Sequence, residues 1–327
     1  MIGYISKIID KLYFKQWSIG LCKGDIKDVI RNKTFDQNIY WLPLESFNHF
    51  QADPFLLRLE DGKLSIFHED FAFDDAYGKI SLMETDDNFK LVSHKTLLDT
   101  KSHLSYPFIF TEENRIFIFP EAAHSGKLSC YEYNPVNQSL DFHRVIMDLP
   151  LLDSSILKHD GKYWLFGTLQ GKDSHNKLYI FYSDNLFGPF TPHPENPVKN
   201  SLNGARSAGN FVNVDGVYYR PSQNCKNQYG ESITINKIII LNEKKYAEEP
   251  YMIISIDQTK FTNKNIFTIH TINVVDNIIA VDGSKWTFSP AIQWQVFLRN
   301  RRSRILSKKY KKYKQLNIID RLSLLFL

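Results

Sequence analysis

The 327 residues carry 40 Lys and Arg against 36 Asp and Glu, a formal charge of +4, with 43% hydrophobic and 14% aromatic residues. That composition supplies a large buried core and excludes an extended disordered chain. No apolar run approaches the roughly 18 residues of a membrane-crossing helix, and three scattered cysteines (Cys22, Cys130, Cys225) exclude a disulfide framework or a zinc module.

In chain order, Ile2, Ile5, Ile8, Ile9, Leu12 and Tyr13 stand at helical spacing, which predicts a short amphipathic N-terminal helix over 2–13. Lys7, Asp10 and Lys11 interrupt its apolar positions, so a signal peptide is not expected. With cysteines expected to be reduced, the chain reads as cytoplasmic. Residues 1–37 form this helix and a lead-in. Ile39 to Leu44 then reads as a strand, with Pro43 at an edge or an end. Such a strand can complete the last sheet of a ring and leave no edge open.

From here a phrase returns five times: an apolar strand, a tight turn, and a second apolar strand ending in polar residues. The copies start at Asp53, Tyr106, Asp153, Ser207 and, more weakly, His270, a recurrence of 47 to 63 residues. Their turns are Asp61-Gly62, Glu113-Asn114, Asp160-Gly161, Asp215-Gly216 and Asp276-Asn277, mostly dipeptides suited to two-residue hairpins. Further strands at 79–83, 128–133, 178–182 and 233–241 supply outer halves. This is the signature of an all-β, five-bladed β-propeller, expected over 38–295. Three prolines in Pro189 to Pro194 mark an extended loop.

The tail over 296–327 changes character. From Arg299 onward ten Lys and Arg stand against Asp320 alone, a surplus of nine that leaves −5 for the rest of the chain. Ile305, Leu306, Tyr310, Tyr313, Leu316, Ile319 and Leu322 recur every three or four residues. A basic amphipathic C-terminal helix of this kind lies on anionic membranes. Peripheral membrane association is therefore expected, ahead of protein docking; with no recognition module in the core, nucleic acid is not an expected partner.

In a propeller blade the first strand opens, and the second closes, on one rim of the central channel. Asp53, Tyr106, Asp153, Arg206 and His270 stand at the openings; Glu69, Glu121, Arg220 with Gln223, and Asp282 stand at the closings. Converging acids, arginines and a histidine make a polar-substrate site. Two carboxylates across a channel can divide proton work, as cleavage of a glycosidic bond requires. Tyr106, Trp164, Tyr219 and Tyr229 are candidate stacking partners for a sugar. No metal-ligand spacing and no cofactor motif is present in this pattern, so neither is expected.

These residues also carry a resemblance. Ala52-Asp53-Pro54-Phe55, the block from His103 to Phe108, Phe119-Pro120-Glu121, Asp153 to Ile156, Trp164-Leu165-Phe166, Gly188 to Pro194, Arg206 to Gly209 and Tyr219 to Gln223 resemble the N-terminal propeller domain of plant glucosamine inositolphosphorylceramide transferase and its bacterial relatives. More distantly the chain is similar to five-bladed glycoside hydrolases of the arabinanase and β-xylosidase type. The resemblance implies a carbohydrate-active propeller in which Asp53 matches the hydrolases' catalytic base. Asp153 matches the acid that orients substrate and tunes the proton donor. Where those hydrolases place a general-acid glutamate this chain has Arg206, which cannot donate a proton at neutral pH, so Glu121 or Glu69 would have to take that part.

The expectation is a protein of surface polysaccharide or glycolipid assembly that forms or processes a glycosidic bond, drawing on a phosphate-bearing or lipid-linked sugar. Asp53 is the base, Asp153 the orienting acid and Glu121 the candidate proton donor, with Arg206 and Arg220 as an anion clamp. Glu69, Tyr106, Gln223, Tyr229 and His270 complete the substrate-binding set. Two alternatives stay open: a glycoside hydrolase or phosphorylase on oligosaccharides, and a non-catalytic glycan-binding propeller.

Overall fold

The computed structural model describes residues 13–44, 46–59, 62–256 and 265–294. The helix expected over 2–13 lies outside these residues except for Tyr13, which opens a strand, and the basic tail lies outside them altogether. Ahead of the repeats come β1 (Tyr13–Lys23), α1 (Ile26–Asn32) and β2 (Tyr40–Trp41). Blade 1 is β3 (His49–Arg58), β4 (Leu64–Ala72), β5 (Tyr77–Thr85) and β6 (Leu91–Leu98). Blade 2 is β7 (Ser105–Glu112), β8 (Arg115–Glu121), β9 (Leu128–Asn134) and β10 (Ser139–Met147). Blade 3 holds β11 (Leu151–His159), β12 (Lys162–Leu169) and β13 (Lys177–Ser183), edged by β14 (Thr191–Pro192) and β15 (Lys199–Asn200). Blade 4 holds β16 (Asn203–Ser207), β17 (Val212–Val214), β18 (Val217–Asn224), β19 (Ser232–Leu241) and β20 (Tyr246–Ile254). Blade 5 starts with β21 (Thr268–Val275) and β22 (Ile278–Phe288), then takes β1 and β2 as its outer strands.

The fold is an all-β, five-bladed propeller, and its inner strands touch in ring order: β3 with β7, β7 with β11, β11 with β16, β18 with β21, and β21 with β3. Hairpins drive the construction. Glu112 pairs with Arg115, His159 with Lys162, Val214 with Val217 and Val275 with Ile278, so four of the expected dipeptides are two-residue turns. Both central residues of Glu113-Asn114, Asp160-Gly161 and Asp215-Gly216 have positive φ, the geometry whose twist matches paired strands. Asp61-Gly62 differs: Arg58 pairs with Leu64, which leaves a longer loop.

Apolar clusters fill the gaps between blades. Phe55 and Phe67 of blade 1 pack with Tyr106, Phe108 and Phe119 of blade 2, and the Phe55 and Tyr106 rings meet edge to face at 4.8 Å. Each such buried aromatic contributes about 1.5–3 kcal/mol. Leu157, Trp164 and Phe166 of blade 3 meet Ala205, Leu241 and Tyr246 of blade 4. Ile19 and Leu21 of β1 join Leu56 and Ile66 of blade 1.

The ring therefore begins well before residue 38. The strand expected at 39–44 supplies only the outermost β2, while β1 is the strand that pairs with β22. Cys22, Ile26, Val29, Ile30 and Phe35 belong to the core of blades 4 and 5. Two compact units divide the chain. The larger is Gln16–Lys285, the propeller proper. In the other, the Tyr13 and Phe288 rings lie 5.3 Å apart and Gln293 Nε2 donates to the Tyr13 carbonyl at 2.9 Å. The three cysteines are free and buried. No helix among the described residues is long and apolar enough to cross a membrane.

Candidate active site

The site is made by one repeated irregularity. The ladder between first and second strands slips after Ala52–Glu69, Ser105–Glu121, Leu152–Thr168 and Ile269–Gly283. The next residues, Asp53, Tyr106, Asp153 and His270, are thereby released from the alternation of the strand. Asp53, Tyr106 and Asp153 have φ of 53°, 43° and 45°. A left-handed conformation costs such residues about 1–2 kcal/mol each and persists only where the surroundings over-determine it.

Here they do. Asp53 N–H donates to Asp282 Oδ2 at 2.8 Å, Tyr106 N–H to Asp53 Oδ2 at 3.2 Å, and Asp153 N–H to Glu121 Oε2 at 3.2 Å. Carboxylates thus hold the bulges of neighbouring blades, and each bulge aims its own side chain inward. Blade 4 departs from the pattern: Arg206 sits one residue before the Ser207–Ser222 pair, and Gly209 follows at φ 134°. A Cβ on Gly209 would lie 1.9 Å from the Ile272 carbonyl oxygen, so only glycine fits.

Asp53, Glu69, Glu121, Asp153, Arg206, Gln223 and His270 all come together, although they are scattered through the chain. Asp153 is gripped from two sides. Arg206 Nε donates to its Oδ2 and Arg206 Nη2 to its Oδ1 at 3.2 Å, and Gln223 Nε2 donates to Oδ2 at 2.8 Å. Arg206 Nη2 also lies 3.4 Å from Glu121 Oε2, and its guanidinium covers the Tyr229 ring at 5.3 Å. On the other side, Thr271 Oγ1 donates to Asp53 Oδ1 at 2.8 Å. His270 Nδ1 bonds Asp282 Oδ1 at 2.6 Å, and its Nε2 lies 3.6 Å from Asp53 Oδ1.

Burial sets the electrostatics. It pushes the Asp53 carboxyl up to about 6; His270 and Thr271 oppose the shift while Asp153 and Asp282 add to it. Burial followed by the Asp153 charge pushes Glu121 well above the usual range, against Arg206. Burial works against the His270 charge, but Asp282 and Asp53 outweigh it and keep the imidazolium more stable than usual. The side chains of Asp53, Glu69, Glu121 and Arg206 keep 7–10% of their surface exposed, whereas Asp282 keeps none. These four groups are buried but keep slight solvent contact; Asp282 is a fully buried anchor.

Several expected residues have other work. Arg220 is not a clamp at this site. It is 1% exposed and spans Glu248 through Nε at 2.8 Å and Nη2 at 2.7 Å, with Lys199 and Tyr246 on the same carboxylate. Strand alternation explains the miss: Gln223, three residues on, takes the opposite face of β18. Tyr106 is no stacking surface either, because it is fully buried; its hydroxyl accepts from Gly209 N–H at 2.7 Å and lies 2.9 Å from Ser155 Oγ, tying blades 2, 3 and 4. Trp164 and Tyr219 are core residues of other clusters. Trp17 was missed: it stacks on His270 at 4.0 Å, but nothing in the sequence shows that β1 belongs to the last blade.

Asp53, His270 and Asp282 place potential ligand atoms within 4.8 Å of one another, the one such grouping among the described residues. Asp282 already accepts from His270 N–H and Thr271 N–H at 3.2 and 2.9 Å as well as bonding the imidazole. Its hydrogen bonds account for the arrangement as an anchor for the bulge. At the turn end of the inner strands a cavity of about 370 Å³ is lined by apolar residues such as Phe108, Ile156, Phe211 and Val274, with Ile26 and Lys27 of α1. None of the candidate catalytic residues lines it.

Residues 44–286 match the model of the N-terminal region of glucosamine inositolphosphorylceramide transferase 1. The chain belongs to that family. It is 34% identical over 209 residues to glucosamine inositolphosphorylceramide transferase 1 of Oryza sativa subsp. japonica, covering 62% of this chain and 28% of the rice protein. With the Arabidopsis thaliana protein of the same description the identity is 33% over 257 residues, 71% of this chain and 33% of the relative. The chain therefore spans about a third of these relatives' length. Among solved structures, a family 117 glycoside hydrolase of Zobellia galactanivorans superposes with a TM-score of 0.52 at 14% identity, over 84% of this chain and 91% of that one. An α-L-arabinofuranosidase of Podospora anserina gives 0.56 at 10% identity, over 75% and 93%. At such identities the likeness is one of fold.

Proposed function

We propose that the acid-lined end of the propeller binds the sugar part of a glycan or glycolipid and makes or breaks a glycosidic bond there. The observation that carries this reading is the cluster that Glu121 and Asp153, from two blades, form around Arg206, with Asp53 of a third blade near enough for the carboxylate charges to act on one another. Asp53, with its carboxyl near 6, is suited to take a proton from an attacking hydroxyl at neutral pH. Asp153, oriented by Arg206 and Gln223, fixes the geometry around it. The family's relatives named as glucosamine inositolphosphorylceramide transferases support a carbohydrate or lipid-linked sugar as substrate.

The site's own charge narrows the donor. Arg206 already faces two carboxylates, and Arg220 belongs to Glu248. The arginine clamp expected for a phosphate is not assembled, and the surrounding carboxylates repel an anion. A lipid-linked or nucleotide-linked sugar would enter sugar first, with its phosphate kept away from the carboxylates.

Replacing Asp53 by Asn should abolish turnover while leaving the melting transition cooperative. Full activity of the variant would sink the assignment. Release of free sugar, or of sugar 1-phosphate when phosphate is supplied, would place the chain with hydrolases or phosphorylases. The deep burial of the carboxylates also favours a second reading, a glycan-binding propeller without catalysis, which predicts affinity for sugars in native and Asp53→Asn chains alike and turnover in neither.

For the basic tail we propose docking on anionic membrane at the cytoplasmic face, supported by its charge and its helical apolar spacing. A chain ending at Gln295 should lose binding to phosphatidylserine vesicles, and equal binding by both chains would refute the docking.

A further inference from the structure

One carboxyl of the site stands apart from the Arg206 clasp. Glu69 Oε1 is buried and accepts no hydrogen bond. Only a glycine lets β5 pass beside it, because a Cβ on Gly78 would lie 2.6 Å from Oε1 and 2.3 Å from the Leu104 carbonyl oxygen. His103 faces the same oxygen, its Nε2 3.7 Å away. Gly78 N–H donates to His103 Nδ1 at 2.9 Å. A ring nitrogen that accepts carries no proton, so the neutral imidazole has its hydrogen on Nε2, the nitrogen nearer Glu69. Burial, with His124 and Arg206, pushes His103 down to about 4, which keeps the ring neutral.

These groups determine where a proton can sit. A hydrogen on Glu69 Oε1 would oppose the Nε2–H of His103, so the acid hydrogen belongs on Oε2. Around Glu69 stand Asp53 on β3, Glu121 on β8, Asp153 on β11 and Asp282 on β22. Burial, then these four charges, push its carboxyl well above the usual range. His68 and Asp70, its neighbours on β4, take the other face of the strand. Glu121 is raised by burial as well, but its Oε2 accepts the Asp153 N–H and Arg206, and donors of that kind favour the charged form. Glu69 has none.

We propose that Glu69 is the residue that hands a proton to the leaving oxygen, with His103 as its positioning residue. This rests on the glycosidic reading of the site. As the C–O bond to the leaving group breaks, its electron pair goes to the leaving oxygen, which takes the hydrogen of Glu69. The incoming hydroxyl oxygen forms the new bond to the same carbon and gives its proton to Asp53. One proton is given and one is taken, so a transfer from Asp53 back to Glu69 resets the site. The function that glycoside hydrolases of this fold place on blade 4, where this chain has Arg206, thus moves to blade 1.

Glu69→Gln tests the idea, since the amide has the shape of the protonated acid. Infrared spectra of the full chain at pH 7, with ¹³C-labelled glutamate, should show a carboxylic-acid carbonyl band that Glu69→Gln removes; a band unchanged in that variant overturns the proposal. The variant should melt no lower than the native chain at pH 8, and a clear fall there means that the native group is ionised and equally overturns it. Turnover is read on methyl glycosides and on 4-nitrophenyl glycosides, whose leaving group needs little acid help. Glu69→Gln should lose about 10²–10⁴-fold on the first and less than about tenfold on the second, and equal loss on both defeats the assignment. His103→Ala should move the infrared band and His103→Gln, which keeps an N–H, should restore it; an unmoved band removes His103 from the proposal. If the native chain turns over neither glycoside the glycosidic reading falls, while the band still decides whether Glu69 holds a proton.

Discussion

A carboxyl raised by burial stabilises the fold only while it keeps its proton. Asp53 moves from the ordinary 3.8 to about 6, so between those values the folded chain holds a proton that the unfolded chain has released. Stability from this group is full below the unfolded value and is lost as pH rises through the folded one, on the order of 3 kcal/mol. His270, also raised, acts in the same direction. Glu248 is the reverse case: despite burial, Arg220 and Lys199 draw it down to about 2, and its contribution disappears as pH falls below the ordinary carboxylate value. The expected outcome is a stability maximum near pH 4–5 and a decline toward pH 7, measured by urea denaturation across that range. Asp53→Asn should flatten the decline. An equally steep fall in the variant would show that Asp53 is not the group responsible. The strand openings Asp53 and Asp153 were legible as site positions because the repeat marks them. Their surroundings were not, since Arg206, Gln223 and Thr271 reach them through space.

At the level of single strands, alternation decides which side chain serves the channel and which serves the blade. β18 shows this with Gln223 on Asp153 and Arg220 on Glu248. Removing Arg220 leaves the buried Glu248 carboxylate with Lys199 and the Tyr246 hydroxyl, and breaking a buried pair from one side costs about 3–5 kcal/mol. Arg220→Ala should therefore lower the unfolding free energy by that amount while leaving the affinity of the surviving folded protein for its sugar unchanged. Weakened sugar binding at unchanged stability would return Arg220 to the site. Its position beside Gln223 in the sequence carries no trace of this difference, because the partner that claims it lies on β20. The bulges are a similar case. Tyr106 and His270 were marked by the repeat, yet the burial of one and the stacking of the other on Trp17 depend on neighbouring blades.

For the whole molecule, closure is the event that makes the site. β1 holds the outer edge of β22, and Ile19 and Leu21 bury against blade 1. A chain lacking residues 1–23 should expose that edge and aggregate, since an open, apolar strand edge templates further pairing. Size-exclusion chromatography and a thermal melt check this, and a monomeric, cooperatively melting truncation would show that the ring does not need β1. The blade number, the hairpins and the rim on which polar residues collect were all readable from sequence, because they depend on local period and turn chemistry that each repeat carries within itself. Which strand completes the last blade, which arginine faces the channel, and which carboxyl has a donor to hold its charge depend on contacts between residues far apart in the chain, such as Asp53 N–H on Asp282, 229 positions away. Those contacts exist only once the ring has closed, so only the tertiary structure decides them.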